Sequence, residues 1–314
     1  MDLSQLIGSA FFVTWLSASI RLSGPILLAA LGETFAERSG ILNVGIEGTI
    51  LLGALASYLA AYATGMVWPA LLAAALAGLV SNLVLAWMYV TVRASQVVVG
   101  IVFNVLALGM ASFIYRLALG ASATPQTVAM FEPLHFPVLS ELPFVGPVLF
   151  NHTILLYLTF ALVPIAHVVL FRTGFGLALR AAGENPKAAD NAGISVARMR
   201  YIGTMISGSA AGLSGGYLML AEVGLFRETI VSGQGFIALA IVILGRWSPW
   251  KAALAALVFG AADALQLSLQ MFGAEVPPQL LLSLPYVLTI LAVSGLFGRS
   301  AVQPAALMQP YAKQ

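Results

Sequence analysis

Few residues in this chain have the types and spacing for chemistry. Gly212-Leu213-Ser214-Gly215-Gly216 has the G-x-S-x-G pattern of a nucleophile elbow, in which a strained strand-to-helix turn exposes a serine Oγ. That chemistry needs a histidine after the serine, and His135, His152 and His167 all precede it. The motif also lies in an apolar run. Packing is the expected role, with Gly208, Gly212 and Gly216 four residues apart letting two helices approach closely. The three histidines lack ligand spacing with a carboxylate, and the chain has no cysteine, so neither a metal site nor a disulfide is expected. No G-x-x-x-x-G-K-[ST] loop is present to hold nucleotide phosphates. No catalytic residue and no bound cofactor are expected.

The remaining polar residues stand inside apolar segments. Arg21, Asn43, Glu47, Asn82, Asn104, Asp263, Gln266 and Gln270 are conspicuous there, and an ionisable group at membrane depth is a functional candidate by default. Asn43 and Glu47, four apart, are expected on one helix face. Arg21 needs a carboxylate or a water-filled cavity, with Glu47 the first candidate partner and Asp263 the second. Amide side chains suit a path for an uncharged, hydroxyl-rich or heterocyclic solute. On that reading Asn43, Glu47, Asn82, Asn104, Gln234 and Phe236 are the candidate path residues, with structural pairing between helices as the alternative.

The elements that position these residues follow from composition. Only 8% of residues are charged and mean hydropathy is +0.97, whereas soluble domains carry about a quarter charged residues. The expected fold is an all-α polytopic membrane protein, one permeating domain over residues 1–314. Spans are expected near 11–32, 41–63, 67–91, 97–118, 152–171, 200–221, 229–247, 251–272 and 280–298. The seventh is interrupted by Ser232-Gly233-Gln234-Gly235, which predicts a broken or re-entrant helix lining a cavity. Met1 to Gly8 lacks a basic stretch, so no cleaved leader is expected.

Nine crossings with the N-terminus outside put Arg38, Arg93, Arg172, Arg180, Lys187, Arg198, Arg200, Arg246, Lys251, Arg299 and Lys313 in the cytoplasm. Only Arg116 and Arg227 fall outside, an asymmetry of the positive-inside kind. The external connection 120–151, rich in proline, is either an ordered cap or a plain loop. The basic residues form no run that could track nucleic acid, so no such partner is expected.

One cytoplasmic stretch, 172–199, is longer than a connection needs. In "RAAGENPKAADNAGISVARMR", Asn185 is a helix cap, Pro186 suits the first helical position and Gly193 suits the left-handed end. Gly183 is expected to break the preceding helix. The result is a short helix with small residues for close approach and charges for register, suited to docking in another protein's groove.

Three stretches carry a resemblance: "GENPKAADNAGI", "LGETFAERSGILNVGIEGTILLGA" and "GQGFIALAIVILGRWSPWKAALAALVFG". Together they resemble the permeases of ATP-binding-cassette importers for ribose, branched-chain amino acids and nucleosides, over roughly residues 20–298. "ERSGILNVGIEG" is most similar to the nucleoside-type branch associated with basic-membrane-protein lipoproteins. The resemblance implies a bacterial inner-membrane subunit paired with a second permease, two ATPase domains that use the ATP, and an external binding protein that delivers a nucleoside or purine. A sugar or a branched-chain amino acid is the alternative cargo. It also implies that Gly183, Glu184, Asn185, Pro186, Lys187, Ala189, Asp190 and Gly193 form the coupling segment that enters an ATPase cleft. A stand-alone ion-coupled transporter would instead show inverted repeats, of which Gly32-Glu33 before Gly40-Ile41 and Gly183-Glu184 before Gly193-Ile194 are only a faint echo.

Overall fold

The computed structural model describes residues 9–120, 126–271 and 303–312, with positions 283, 287, 289 and 290 between them. The described residues form helices and connections, with one isolated bridge between Pro133 and Thr153. Among the described residues, six helices are long and apolar enough to cross a membrane. The expected ninth span, 280–298, lies outside the described residues apart from those few positions.

Helix α1, Ser9–Arg38, runs 30 residues, about 45 Å at 1.5 Å per residue. The sequence reading ended this span at residue 32. Glu33, Thr34 and Glu37 continue the helix and are fully buried, because neighbouring side chains and backbone supply donors to both carboxylates. After α1 the chain turns at Gly40 (φ 95°), and residues 41–45 are not helical. Helix α2, Ile46–Thr64, starts only then, so Asn43 and Glu47 do not share a helix face. The expectation failed because "ILNV" is apolar and uninterrupted, while its backbone groups are bonded by side chains from other helices.

Helix α3, Val67–Ala86, ends in a π-helical turn over Trp87–Thr91, and α4 follows at Gln96–Leu119. The connection 126–153 holds the short helix α5, Val145–Leu149. Its first part is bonded to the bundle. Val128 and Phe131 donate backbone bonds to Gly224 and Leu220 (3.0 and 2.8 Å), and the Tyr58 hydroxyl donates to the Gln126 carbonyl (3.0 Å). Helix α6, Ile154–Arg172, leads to α7, Gly174–Glu184, and α8, Pro186–Asn191.

Helix α9, Val196–Tyr217, is the centre of the bundle and packs against α1, α2 and α3. Its glycines permit this. A Cβ at Gly212 would meet the α3 backbone (Gly78 Cα at 2.9 Å), and one at Gly216 would meet Ala74 Cβ at 2.8 Å. A Cβ at Gly208 would collide with Asn82. Ser214 is fully buried in the same helix, and its hydroxyl donates to the Pro25 carbonyl at 2.7 Å. The elbow-like motif is thus a packing surface in a continuous helix. A π-helical turn, Leu218–Val223, ends α9. Residues 224–233 are irregular, and the half-length helix α10, Gln234–Leu244, begins at the interruption Ser232–Gly235. Helix α11, Pro249–Met271, packs along α1.

Candidate functional site

The first candidate surface is α7–α8. Thr173 caps α7 by accepting from the Gly176 amide (3.1 Å), and Asn185 Oδ1 caps α8 by accepting from the Ala188 amide (3.1 Å). Pro186 occupies the first turn of α8, and Gly193 has φ 83°. Gly183, however, does not break α7, which continues through it to Glu184. The absent side chain serves contact instead, since a Cβ there would collide with the Arg38 carbonyl. Asn185 ends the helix by leaving helical geometry (φ −145°, ψ 87°).

Ala189 turns inward and packs with Ala182 and Val196. Glu184, Lys187, Ala188 and Asn191 are exposed. Small and charged groups thus face outward from a helix whose inner side is anchored to the bundle. Glu184 also lies 3.7 Å from Arg38.

The sequence reading missed the segment folded against this surface. Residues 303–312 cross it in an irregular path. Ala305 donates to Glu184 Oε2 (3.2 Å), Ala306 to the Gly183 carbonyl (2.9 Å) and Met308 to the Gly40 carbonyl (3.1 Å). The Tyr311 hydroxyl donates to Asp190 Oδ2 (3.1 Å), and buried Arg200 donates from Nη1 to the Gln309 carbonyl (2.8 Å). The stretch has no apolar periodicity, and Pro304 and Pro310 argue against a regular element, so no local signal marks it.

The second candidate region is a polar cluster around the start of α2. Asn43, Glu47, Asn82, Asn104 and Gln234 come together there. Asn43 and Asn82 are fully buried. Asn43 Nδ2 donates to Asn82 Oδ1 (2.7 Å) and to Ser207 Oγ (3.2 Å), and Asn82 Nδ2 donates to Thr49 (2.8 Å). Asn104 accepts from the Gly48 amide and donates to the Val44 carbonyl, both at 2.9 Å. Gln96 accepts from the Leu42 amide (2.8 Å), and Glu33 accepts from the Asn43 amide (2.9 Å) and Ser207 Oγ (2.6 Å). These bonds satisfy backbone that is not helical, which a bundle interior otherwise forbids.

Glu47 plays the same part for α10. Its Oε1 accepts from the Gly233 amide and its Oε2 from the Gly235 amide, both at 2.7 Å. It does not pair with Arg21, which bonds Glu222 Oε2 at 2.8 Å. The reason is level. Arg21 lies near the middle of α1, beside the π-helical turn at the end of α9 where Glu222 stands. Glu47 lies at the start of α2, level with the beginning of α10. Glu37 was also missed; its Oε2 accepts from Trp247 Nε1 at 2.5 Å. Its place four residues after Glu33 on an unbroken apolar helix was the available signal.

On the side where α2, α4 and the 224–233 connection meet, a cavity of about 260 Å³ is lined by Glu47, Gly48, Leu51, Asn104, Glu228 and Ser232, among others. Phe236 is 47% exposed. Among the described residues there is no cluster of three or more metal-ligating side chains.

Residues 15–293 match the family described as branched-chain amino acid transport system / permease component. The chain belongs to that family. The permease is 39% identical over 322 residues to the "Guanosine ABC transporter permease protein NupQ" of Bacillus subtilis, covering 100% of this chain and 99% of the relative. It is 30% identical over 331 residues to the "Putative glucose ABC transporter permease protein TsgC13" of Haloferax volcanii, covering 97% and 99%. It is 35% identical over 295 residues to the "Nucleoside ABC transporter permease protein NupC" of Lactococcus lactis subsp. cremoris, covering 90% and 92%. Among solved structures, the permease resembles an inward-facing putative metal-chelate type ABC transporter, with a TM-score of 0.50 and 16% identity over 93% of this chain and 99% of the other. That likeness concerns the fold.

Proposed function

We propose that the permease is the membrane-spanning subunit of an ATP-driven importer for nucleosides. The observation that carries this reading is α8, a separately capped helix held outside the bundle on a pedestal of α7, in a chain 39% identical to a guanosine permease protein. A chain without a phosphate-binding loop needs a partner to use ATP, and α8 supplies a surface for it. The coupling residues are Gly183, Glu184, Asn185, Pro186, Lys187, Ala189, Asp190 and Gly193. Glu184 and Lys187 face the partner, while Gly183 and Ala189 fasten the segment from behind.

On this reading the chain crosses a bacterial cytoplasmic membrane nine times with its N-terminus outside. The α8 end is cytoplasmic, and the ordered cap 126–153 receives a substrate-loaded binding protein. Pairing with a second permease completes the path. The cavity beside Glu47 and Asn104, with Gln234 and Phe236 nearby, is this chain's half of that path. Its amides and aromatic ring suit a heterocycle bearing hydroxyls.

A sugar cargo is the second reading, favoured by the similarity to TsgC13. The deciding experiment reconstitutes the permease with its ATPases and binding protein in proteoliposomes. ATP-dependent uptake of labelled guanosine, competed by other nucleosides and not by glucose or ribose, is the expected result. Glucose-selective uptake would overturn the cargo. Transport by this chain alone under an ion gradient would overturn the whole reading.

A further inference from the structure

We propose that segment 303–312 is a coupling strap: it fastens the α7–α8 surface to the end of α1, so that movement imposed on α8 reaches the centre of the bundle. The proposal rests on the reading of α8 as an ATPase-docking helix.

The strap's bonds fall into two groups. Ala305, Ala306 and Tyr311 hold Glu184, Gly183 and Asp190 of the coupling segment. Met308 holds Gly40, the residue that ends α1, and the Gln309 carbonyl accepts from Arg200 of α9. One irregular stretch therefore touches all three moving parts: the docking helix, the end of α1 and the first turns of α9. The other described links between α7–α8 and the α1 turn are the close backbone approach at Gly183 and the Arg38–Glu184 ion pair. The latter is 3.7 Å long and partly exposed, a weak kind of tie. The strap adds a tie from α8 to the end of α1 that the packing of Ala189 on Ala182 and Val196 does not supply.

Arg200 argues that the strap is built in rather than incidental. Its side chain is only 2% exposed, and among the described residues it forms no ion pair. Nε and Nη2 find no hydrogen-bond partner there, and Nη1 is spent on the Gln309 carbonyl. Burying a guanidinium without a carboxylate costs stability, and an apolar side chain would fill the same space. What the guanidinium adds is a charge-assisted bond to the strap. Helix α1 is in turn tied to the interior through Glu33, which bonds Asn43 before α2 and Ser207 on α9. A pull on α8 thus has a continuous route to the irregular backbone where the polar cluster lies. In this role Arg200 and Tyr311 are positioning residues that touch neither substrate nor nucleotide.

The test uses the assembled complex in proteoliposomes. The variants are a chain ending at residue 302, Arg200→Lys and Tyr311→Phe, each with Ala188→Cys as a cross-linking reporter to the ATPase. The chain has no cysteine of its own. ATPase activity is read with and without loaded binding protein, alongside uptake. Truncation is expected to leave basal hydrolysis and co-purification intact while lowering uptake and the stimulated-to-basal ratio at least tenfold. Arg200→Lys should lower the ratio about fivefold and Tyr311→Phe two- to threefold. A truncated chain that couples like the parent overturns the strap, as does one that loses the ATPase altogether, since the segment would then be an assembly element. If truncation prevents accumulation in the membrane, the two point variants decide, and parental coupling in both overturns the proposal. Absence of the position-188 cross-link in the parent marks failure of the α8 reading itself.

Discussion

Helix α10 begins inside the bundle with a glycine cap, Gly233, that offers no side-chain acceptor. Glu47, from another helix, accepts the two amide bonds instead, each at 2.7 Å. Removing this carboxylate is therefore a quantitative test of how irregular backbone survives at membrane depth. A hydrogen bond to a charged group contributes about 1.5–3 kcal/mol, so Glu47→Ala should cost about 3–6 kcal/mol. Glu47→Gln keeps one acceptor oxygen and should cost about half of that. The competing expectation is that hydrogen bonds between helices in membranes average only about 0.6 kcal/mol each, which puts the pair near 1.2 kcal/mol.

The two expectations separate cleanly. Unfolding free energies in bicelles, measured by steric trapping, should rank parent, Glu47→Gln and Glu47→Ala in steps of at least about 1.5 kcal/mol. Amide exchange should accelerate in 233–237 before the rest of α10. Because the same amides border the cavity lined by Glu47 and Ser232, uptake should fall in the same order. A Glu47→Ala variant that loses no more than about 1.2 kcal/mol, with unchanged exchange at 233–237, would refute the reasoning.

Other perturbations follow from single contacts. Gly212→Ala drives a Cβ into the Ala74 carbonyl oxygen of α3, while Gly216→Ala meets its nearest atom, Ala74 Cβ, at 2.8 Å and otherwise the movable end of Leu71 at 3.3 Å. The first should cost about 1–3 kcal/mol and the second less, read as thermal unfolding in detergent. His152, just outside α6, is buried and donates from Nε2 to the Val148 carbonyl (2.8 Å). Burial holds its imidazolium below the usual histidine range, with the nearby Arg21 charge adding to the effect. Its contribution to the cap is therefore complete above an unfolded pKa of about 6.5 and declines as pH falls below it. Proteolysis of 126–150 should accelerate between neutral and mildly acidic pH, and His152→Gln should flatten that dependence. For sidedness, Asp190→Cys and His135→Cys should react with an impermeant thiol reagent from opposite faces of the membrane.

Much of the helical framework was legible because the hydrophobic runs are long and their ends are marked by Gly65, Arg93 and Gly120. The α8 caps were legible because Asn-Pro and a following glycine are local chemistry. Residues 41–45 were not, since nothing local distinguishes "ILNV" from helix. Gln96 and Asn104, distant in sequence, and Glu33 on the preceding helix hold that segment open. The extension of α1 through Glu33 and Glu37 failed for a related reason: charge suggests an end unless the donors that satisfy it are known. Segment 303–312 has only a turn of its own, and its placement comes from what it binds.

Polarity alone also misleads about which residues face a solute. Asn82 uses both amide atoms inside the bundle, and Asn104 uses both to hold the chain around α2. A group whose bonds are already made can recognise a substrate only by breaking them. Spare hydrogen-bonding capacity is the better criterion, and among the six candidates Asn43 Oδ1 and Gln234 Oε1 lack a partner among the described residues, Gln234 being the one two residues from the cavity-lining Ser232. Gln234→Leu should therefore lower uptake with little change in folded yield. Asn82→Leu should instead lower folded yield, by removing one buried side-chain bond from each of Asn43 and Thr49, with uptake per folded molecule nearly preserved. Uptake normalised to folded protein in proteoliposomes compares the two directly, and the reverse pattern would return Asn82 to the path and make Gln234 a strut.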